Sequence, residues 1–304
     1  MNPQRWAQVV LLPVLLGVVG CAAAPGRTAT VDLPQPLDGV TYFTSAESSA
    51  LHDAYEELVT RCMRDRGFAY RPTPLSSATR LRDINPYGLL SREEARIDGY
   101  RITSSLAGDA QARPRPAQAP TSTPGWDEAL LGTEAHRVTV QLPEDHEMYY
   151  NSDGCTYQAT AALYGDDWQR LYDTFQVLAN RVVETVSQDA EFRGAQSVWS
   201  ACMERAGQPA RTFDEARGRI EGAFTRAAEN RSDLMPVVRQ ELATAAADAD
   251  CQDEVGMTAA VRAAQGRAQA AVLDTSRRGQ LDQLRRLRAE VLRRVTASPG
   301  ATPR

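Results

Sequence analysis

The stretch Leu58-Val59-Thr60-Arg61-Cys62-Met63-Arg64-Asp65-Arg66-Gly67 decides the fold, because the chain repeats it as Val198-Trp199-Ser200-Ala201-Cys202-Met203-Glu204-Arg205-Ala206-Gly207. Both copies carry Cys-Met-x-x-x-Gly at the end of an amphipathic stretch. The glycine falls where a helix C-cap would, since glycine takes the left-handed conformation without strain. Each copy is followed by one further cysteine, Cys155 after Gly154 in the first half and Cys251 after Asp250 in the second. Four cysteines permit three pairings; the repeat selects Cys62 with Cys155 and Cys202 with Cys251. These loops enclose about 90 and about 50 residues, and the chain-entropy description assigns each crosslink roughly 4–5 kcal/mol through the unfolded state. No Cys-x-x-Cys occurs and no histidine sits at metal-ligand spacing from a cysteine, so the staples read as structural.

Outward from the repeats the pattern is helical. A first helix is expected from about Ala46 to Arg66, with Leu51, Tyr55, Leu58, Val59 and Cys62 on one face at three- and four-residue spacing. The stretch before Cys155 is irregular: Asn85-Pro86-Tyr87-Gly88 marks a turn, and Ser91-Arg92-Glu93-Glu94 is a capping box opening a short helix toward Tyr100. Residues 107–125, rich in proline, alanine and threonine, read as a mobile loop. Val138, Val140 and Leu142 alternate as in a short strand, with a partner the sequence does not identify. Beyond Cys155, helices are expected at about 167–189, 195–206, 213–229 behind the Thr212-Phe213-Asp214-Glu215 capping box, 233–254 and 258–295. The fold class is therefore mainly α: a helical body of two disulfide-stapled units, residues 45–168 and 169–296, with at most a minor β element and a disordered tail at 297–304.

The amino-terminal segment carries a targeting pattern. Arg5 supplies positive charge, and an apolar run from Trp6 to Val19, interrupted by Gln8 and Pro13, ends in Val18-Val19-Gly20-Cys21. A spanning helix needs roughly 18–20 apolar residues, more than this run provides. The motif is similar to the processing site of bacterial lipoproteins, which implies a signal peptide at residues 1–20 and a lipid-carrying, palmitate-type modification of Cys21. Residues 21–44 then form the lipidated amino-terminus and its tether. An ordinary cleaved signal peptide is the alternative. Each buried lipid methylene contributes roughly 0.8 kcal/mol, so two acyl chains would hold the chain on the outer face of the cell membrane.

Composition narrows the chemistry. A formal net charge of −5 leaves no electrostatic footprint for nucleic acid. The 304 residues contain no lysine, which excludes Schiff-base catalysis, P-loop phosphate binding and Ser-x-x-Lys acylation. With three histidines and neither Gly-x-Ser-x-Gly nor His-Glu-x-x-His, a serine triad or zinc protease has no support at His52, His136 or His146. Nothing points to a cofactor.

Three constellations remain as candidates. Glu144-Asp145-His146-Glu147 with Asp153 offers oxygen ligands for Ca²⁺ but lacks the EF-hand spacing, so a solvated acidic loop is the plainer expectation. Tyr149, Tyr150, Tyr157, Tyr164, Trp168 and Tyr172 gather on either side of Cys155, either packing around the disulfide or lining a cleft for a sugar or peptide. In the last helix Leu281, Leu284, Leu287, Val291 and Val295 form an apolar stripe beside Arg277, Arg278, Arg285, Arg286, Arg288, Arg293 and Arg294. That face is either a docked helix with solvated arginines or a surface for an anionic polymer, lipid or partner.

The order of these motifs resembles a group of secreted actinobacterial lipoproteins with no assigned activity. The resemblance rests on the lipobox, Cys62-Met63 with Gly67-Phe68, Tyr87-Gly88, Gly99-Tyr100, Gly154-Cys155 with Leu163-Tyr164-Gly165, Trp199-x-x-Cys202-Met203 and Ala249-Asp250-Cys251. It covers most of residues 50–290 and carries over no catalytic, metal or cofactor residue. The repeats part at Gln208-Pro209, where the first has Phe68-Ala69. The expected function is a membrane-anchored, non-enzymatic binding or accessory protein of the cell envelope, partnered by another envelope protein or a cell-wall polymer. The alternative is a cell-wall hydrolase using paired carboxylates among the 39 acidic residues.

Overall fold

Thr44 starts the first helix, α1 (Ser45–Asp65): its hydroxyl accepts from the Glu47 N–H while the Glu47 carboxylate accepts from the Thr44 N–H. In the computed structural model, residues 33–75, 85–112 and 123–297 are described, and 71% of them are helical. Ser91 caps α2 (Arg92–Asp98) as its sequence predicts. There follow α3 (Ile102–Ala112), α4 (Trp126–Leu131), the hairpin of β1 (Arg137–Gln141) and β2 (Glu147–Asn151), α5 (Cys155–Tyr164) and α6 (Trp168–Gln188). The carboxy-terminal half is α7 (Ala190–Arg205), α8 (Phe213–Glu229), α9 (Met235–Glu254), α10 (Met257–Val272) and α11 (Thr275–Ala297).

Three boundaries differ from expectation, each for a local reason. Helix α7 begins at Ala190 because the Asp189 carboxylate accepts from the Glu191 and Phe192 N–H groups. The long helix expected over 258–295 breaks at Leu273, whose backbone is extended, and Asp274 accepts from the Arg277 N–H to start α11. Residues 107–112, expected in the mobile loop, complete α3, while 113–122 lie outside the described residues. The missing strand partner is β2, antiparallel to β1 with Val138 opposite Tyr150.

The two Cys-Met repeats end identically. Gly67 and Gly207 have φ of 83° and 72°, and the N–H groups of Phe68 and Gln208 each donate 2.9 Å to the carbonyls of Met63 and Met203, closing Schellman motifs. Val59, Met63, Trp199 and Met203 are fully buried at equivalent positions. The disulfides are Cys62–Cys155 and Cys202–Cys251, spanning 93 and 49 residues. In each, an arginine at the end of the Cys-Met helix reaches the residue three past the second cysteine: Arg66 to Gln158 at 3.1 Å and Arg205 to Glu254 at 2.8 Å. The post-cysteine segments do diverge, since Phe68 packs against the first staple whereas the Gln208 carboxamide accepts from the Thr244 hydroxyl.

The core does not divide at residue 168. A small cluster of Val59, Met63, Ala129 and Ala159 surrounds Cys155, whereas Tyr87, Leu89, Tyr100 and Ile102 join the main core with Trp199, Phe213 and Val237. Helix α2 packs along α9, with Arg92 and Arg96 both paired to Asp250. Residues 33–44, assigned to the tether by composition, also lie on this core. Leu37 and Val40 are buried, the Leu37 N–H donates to Gln269 at 2.9 Å, and Asp38 pairs with Arg285. Cys21 and the segment 1–20 lie outside the described residues.

Helix α11 is docked. Leu281, Leu284 and Val291 are buried, and Arg277, Arg285, Arg288 and Arg294 bind Val272, Asp38 with Asp282, Glu47, and the Leu163 carbonyl respectively. The arginine-rich face is thus largely an internal clamp. None of the described helices is long and apolar enough to cross a membrane.

Gly99 and Gly67 offer a test of which glycines the packing requires. At Gly99 φ is 63°, and a Cβ would lie 2.8 Å from Glu241 Cγ, whereas at Gly67 a Cβ meets nothing within 4 Å. Gly99→Ala should therefore lower unfolding free energy by about 2 kcal/mol or more through strain plus displacement of a buried carboxylate. Gly67→Ala should lower it by about 1 kcal/mol. Urea denaturation of both variants checks the ranking.

Candidate functional site

Helix α6 is strongly amphipathic and buries Trp168, Leu171, Phe175, Leu178, Val182 and Val186. The edge of that face, Tyr172, Gln176, Asn180, Val183 and Ser187, follows the four-residue ridge of a helix and borders three hollows of about 340, 420 and 470 Å³. Tyr172 lines the first and second, and Pro86 and Val183 line the second and third. They form one groove along α6, roughly 22 Å from Tyr172 to Ser187 at 1.5 Å per residue. Residues Gln35 to Phe43 contribute a wall, and the turn Asn85–Gly88 closes the far end with Phe213, Asp214 and Arg217.

Three of the six expected aromatics reach this groove. Trp168 is sandwiched between Tyr164 at 4.4 Å and Tyr172 at 5.4 Å, both rings near parallel to it. At 4% exposure Trp168 belongs to the core, so its two tyrosines supply the rim. Tyr150 stacks on Tyr157 at 4.3 Å away from the groove, and the exposed Tyr149 lies under the Arg137 guanidinium. The residues that pack around Cys62–Cys155 are instead Tyr55, Phe68, Tyr70 and Trp126. Burial, with the neighbouring Tyr70 and Glu56, pushes the Tyr55 phenol up to about 12, and burial also raises Tyr164, so both remain protonated hydrogen-bonding groups at neutral pH.

The acidic cluster does not converge. Glu144 and Asp145 form the left-handed hairpin turn, Glu144 pairs with Arg181, and Glu147 accepts from the Gln141 side chain. Asp153 accepts from the Thr133 N–H and hydroxyl and faces His136, and the Thr133 bonds hold its carboxyl below the usual range. Among the described residues no group of three histidine, cysteine or acidic side chains is placed to hold a metal ion.

A buried polar hub, which the sequence patterns did not reveal, fixes the far end of the groove. Asp248 is fully buried and accepts from Trp199 Nε1 at 2.8 Å, Gln252 Nε2 at 2.8 Å and the Tyr100 hydroxyl at 2.9 Å. Gln252 passes the restraint on: its Nε2 also donates to the Gly88 carbonyl and its Oε1 accepts from the Leu90 N–H. Asn85 holds the same turn by accepting from the Tyr87 N–H and donating to the Pro34 carbonyl. Glu241, also buried, accepts from the Ile102 and Thr103 N–H groups and so caps α3 from a distance. Buried polar residues on an otherwise apolar helix face, Glu241, Thr244, Asp248 and Gln252, are the four-residue signal that marks this hub.

Among the described residues Asp214 is the only acid lining the three hollows, and neither Asp248 nor Glu241 lines them. Comparison with protein-family models, with curated proteins and with solved structures found no match.

Asp248 makes a pH prediction. Burial raises its folded-state pKa above the unfolded value, against the hydrogen bonds and the Arg217 charge that lower it. The folded state therefore holds the proton more tightly. The associated stability is complete below the unfolded pKa of about 4 and is lost as pH rises through the folded value. Urea midpoints of the wild type and Asp248→Asn, measured between pH 4 and 7, should shift in favour of the variant as pH rises. A constant gap would mean that Asp248 is ionised throughout.

Proposed function

We propose that this chain is an extracytoplasmic, lipid-anchored binding protein that seats an extended, uncharged stretch of a cell-envelope glycan in the groove along α6. The observation that carries this reading is the lining of the first two hollows: tyrosines, amides, hydroxyls and prolines with apolar side chains and one histidine, His52, and no aspartate, glutamate or arginine among the described residues. Charged residues make up 24% of the chain, so the lack of aspartate, glutamate and arginine among the described lining residues of these two hollows favours a neutral ligand there. Gln176 Nε2 donates to Asn180 Oδ1 at 3.3 Å, which leaves Gln176 Oε1 as an acceptor and Asn180 Nδ2 as a donor. A free donor beside a free acceptor suits neighbouring hydroxyls on a sugar ring. A proline-rich peptide offers acceptors and few donors, and so would leave Gln176 Oε1 unmatched.

The lipobox supports attachment at Cys21, and two disulfides accord with an oxidising compartment. The hydrolase reading is weaker, because among the described residues only one carboxylate, Asp214, lines the groove.

Co-sedimentation with insoluble cell-wall glycan tests the site. Wild-type protein should pellet with the polymer, and Gln176→Ala/Asn180→Ala should lose about tenfold in affinity, as expected for two lost hydrogen bonds. Its unfolding free energy should fall by less than about 0.5 kcal/mol, since both side chains border solvent. Equal pelleting of both proteins would sink the groove assignment. For the anchor, globomycin treatment of a producing strain should cause unprocessed precursor to accumulate; unchanged processing would show that Cys21 is not a lipobox cysteine.

A further inference from the structure

We infer that Cys62–Cys155 is a site of thiol–disulfide exchange, opened at Cys62 by a dithiol reductant under conditions that leave Cys202–Cys251 intact. The inference goes beyond the glycan reading and does not depend on it. Both staples start in the last turn of a helix, Cys62 in α1 and Cys202 in α7. Their second cysteines differ. Cys155 is the first residue of α5, whose opening turn has no side-chain cap, whereas Cys251 lies in the last turn of α9.

The surroundings of the two staples differ in the same direction. Cys62 is only partly buried, and its Sγ lies 3.5 Å from Gln158 Oε1 in a solvent-exposed contact, while Cys202 and Cys251 are 7% and 2% exposed. The Gln158 oxygen also accepts from Arg66, whose other bonds go to the backbone carbonyls of Ala129 and Asp153, so among the described residues no carboxylate pairs with that guanidinium. In the second staple the equivalent position is Glu254: one carboxylate oxygen lies 3.5 Å from Cys202 Sγ and the other accepts from Arg205. Exchange needs an anionic nucleophile to reach a sulfur and an anionic sulfur to depart. At Cys62 the approach is open and meets a guanidinium; at Cys202 it is shielded and meets a carboxylate. Burial opposes the departing thiolate alike at Cys155 and Cys251, so the helix ends decide. The positive end of α5 favours charge on Cys155, and the negative end of α9 disfavours it on Cys251.

The reductant's first thiolate forms a bond to Cys62 Sγ as the Cys62–Cys155 bond breaks and Cys155 departs as the thiolate. Its second thiolate then displaces Cys62, so the dithiol is oxidised to its disulfide by two electrons and its two protons pass to the cysteines. The bond that opens is the covalent tie between α1 and α5. These helices supply Ser48, His52, Tyr55, Thr160 and Tyr164 to the hollow of about 340 Å³, so exchange acts on a wall of the groove.

The test is to treat the full folded chain with dithiothreitol at low ionic strength, quench with N-ethylmaleimide, and map the labelled peptides against time. Cys62 and Cys155 should label at least about tenfold faster than Cys202 and Cys251. With reduced glutathione and the same quench, the mixed disulfide should form on Cys62 and the label on Cys155. Gln158→Glu should slow opening of the first staple about threefold, and Glu254→Gln should speed opening of the second by a similar factor, charge effects on a rate that a purely structural contact would not produce. Equal rates for the two staples, earlier opening of Cys202–Cys251, no reduction without denaturant, a mixed disulfide on Cys155, or rates indifferent to both substitutions would overturn the inference. Co-sedimentation with glycan is a separate readout, so failure of the groove and failure of the exchange site are distinguishable.

Discussion

The buried carboxylate of Asp248 is the constraint around which the larger core is arranged. Taking a carboxyl group out of water without partners is prohibitive, so its two oxygens must be met by donors from whichever elements surround α9. Those donors come from three places: Trp199 on the second Cys-Met helix, Tyr100 after α2, and Gln252 one turn further along α9. An apolar residue at 248 would tolerate many relative placements of these elements. A carboxylate tolerates few, because each hydrogen bond has a short range and a narrow angle. The disulfide at Cys251 then acts on an interface that polar geometry already defines, joining α9 to α7 one turn beyond the hub.

The same hub explains why residues 85–102, which precede the first disulfide's second cysteine, pack with the carboxy-terminal half. Gln252 holds the Gly88–Leu90 backbone, and Glu241 supplies the cap that α3 lacks in its own sequence. Neither bond is local: the partners stand more than 130 residues apart. Contacts of that span close large loops and are reached only once α9 is in place, which the staples favour by shortening the unfolded chain.

What the sequence disclosed follows the range of the interactions involved. Both Schellman ends, the Ser91 and Thr212 caps and the α8 limits are set by residues within one turn, and they were legible. The disulfide pairing was legible because the Cys-Met repeat fixed it. The break at Leu273 was missed because apolar periodicity continues across it, and the cap at Asp274 is a single bond. For the site, Tyr164, Trp168 and Tyr172 were visible as an aromatic cluster, but Gln176 and Asn180 are ordinary polar residues on a helix edge. Only the approach of residues 35–43 and of Pro86 turns that edge into a groove, and neither approach leaves a mark on the sequence of α6.

The wall formed by residues 35–43 is itself strained and is held from outside. Leu37 and Asp38 both take left-handed backbone, with φ of 53° and 55°, a conformation that disfavours residues with a side chain by roughly 1–2 kcal/mol each. Burial of Leu37, the bond from its N–H to Gln269 and the Asp38–Arg285 pair offset that strain. Arg288 adds a second clamp through the Tyr42 carbonyl, Glu47 and the face of Phe43. The arginines of α11, which composition alone offered as a surface for an anionic partner, thus hold in place the segment that walls the groove. The groove wall is thus held by the last helix of the chain.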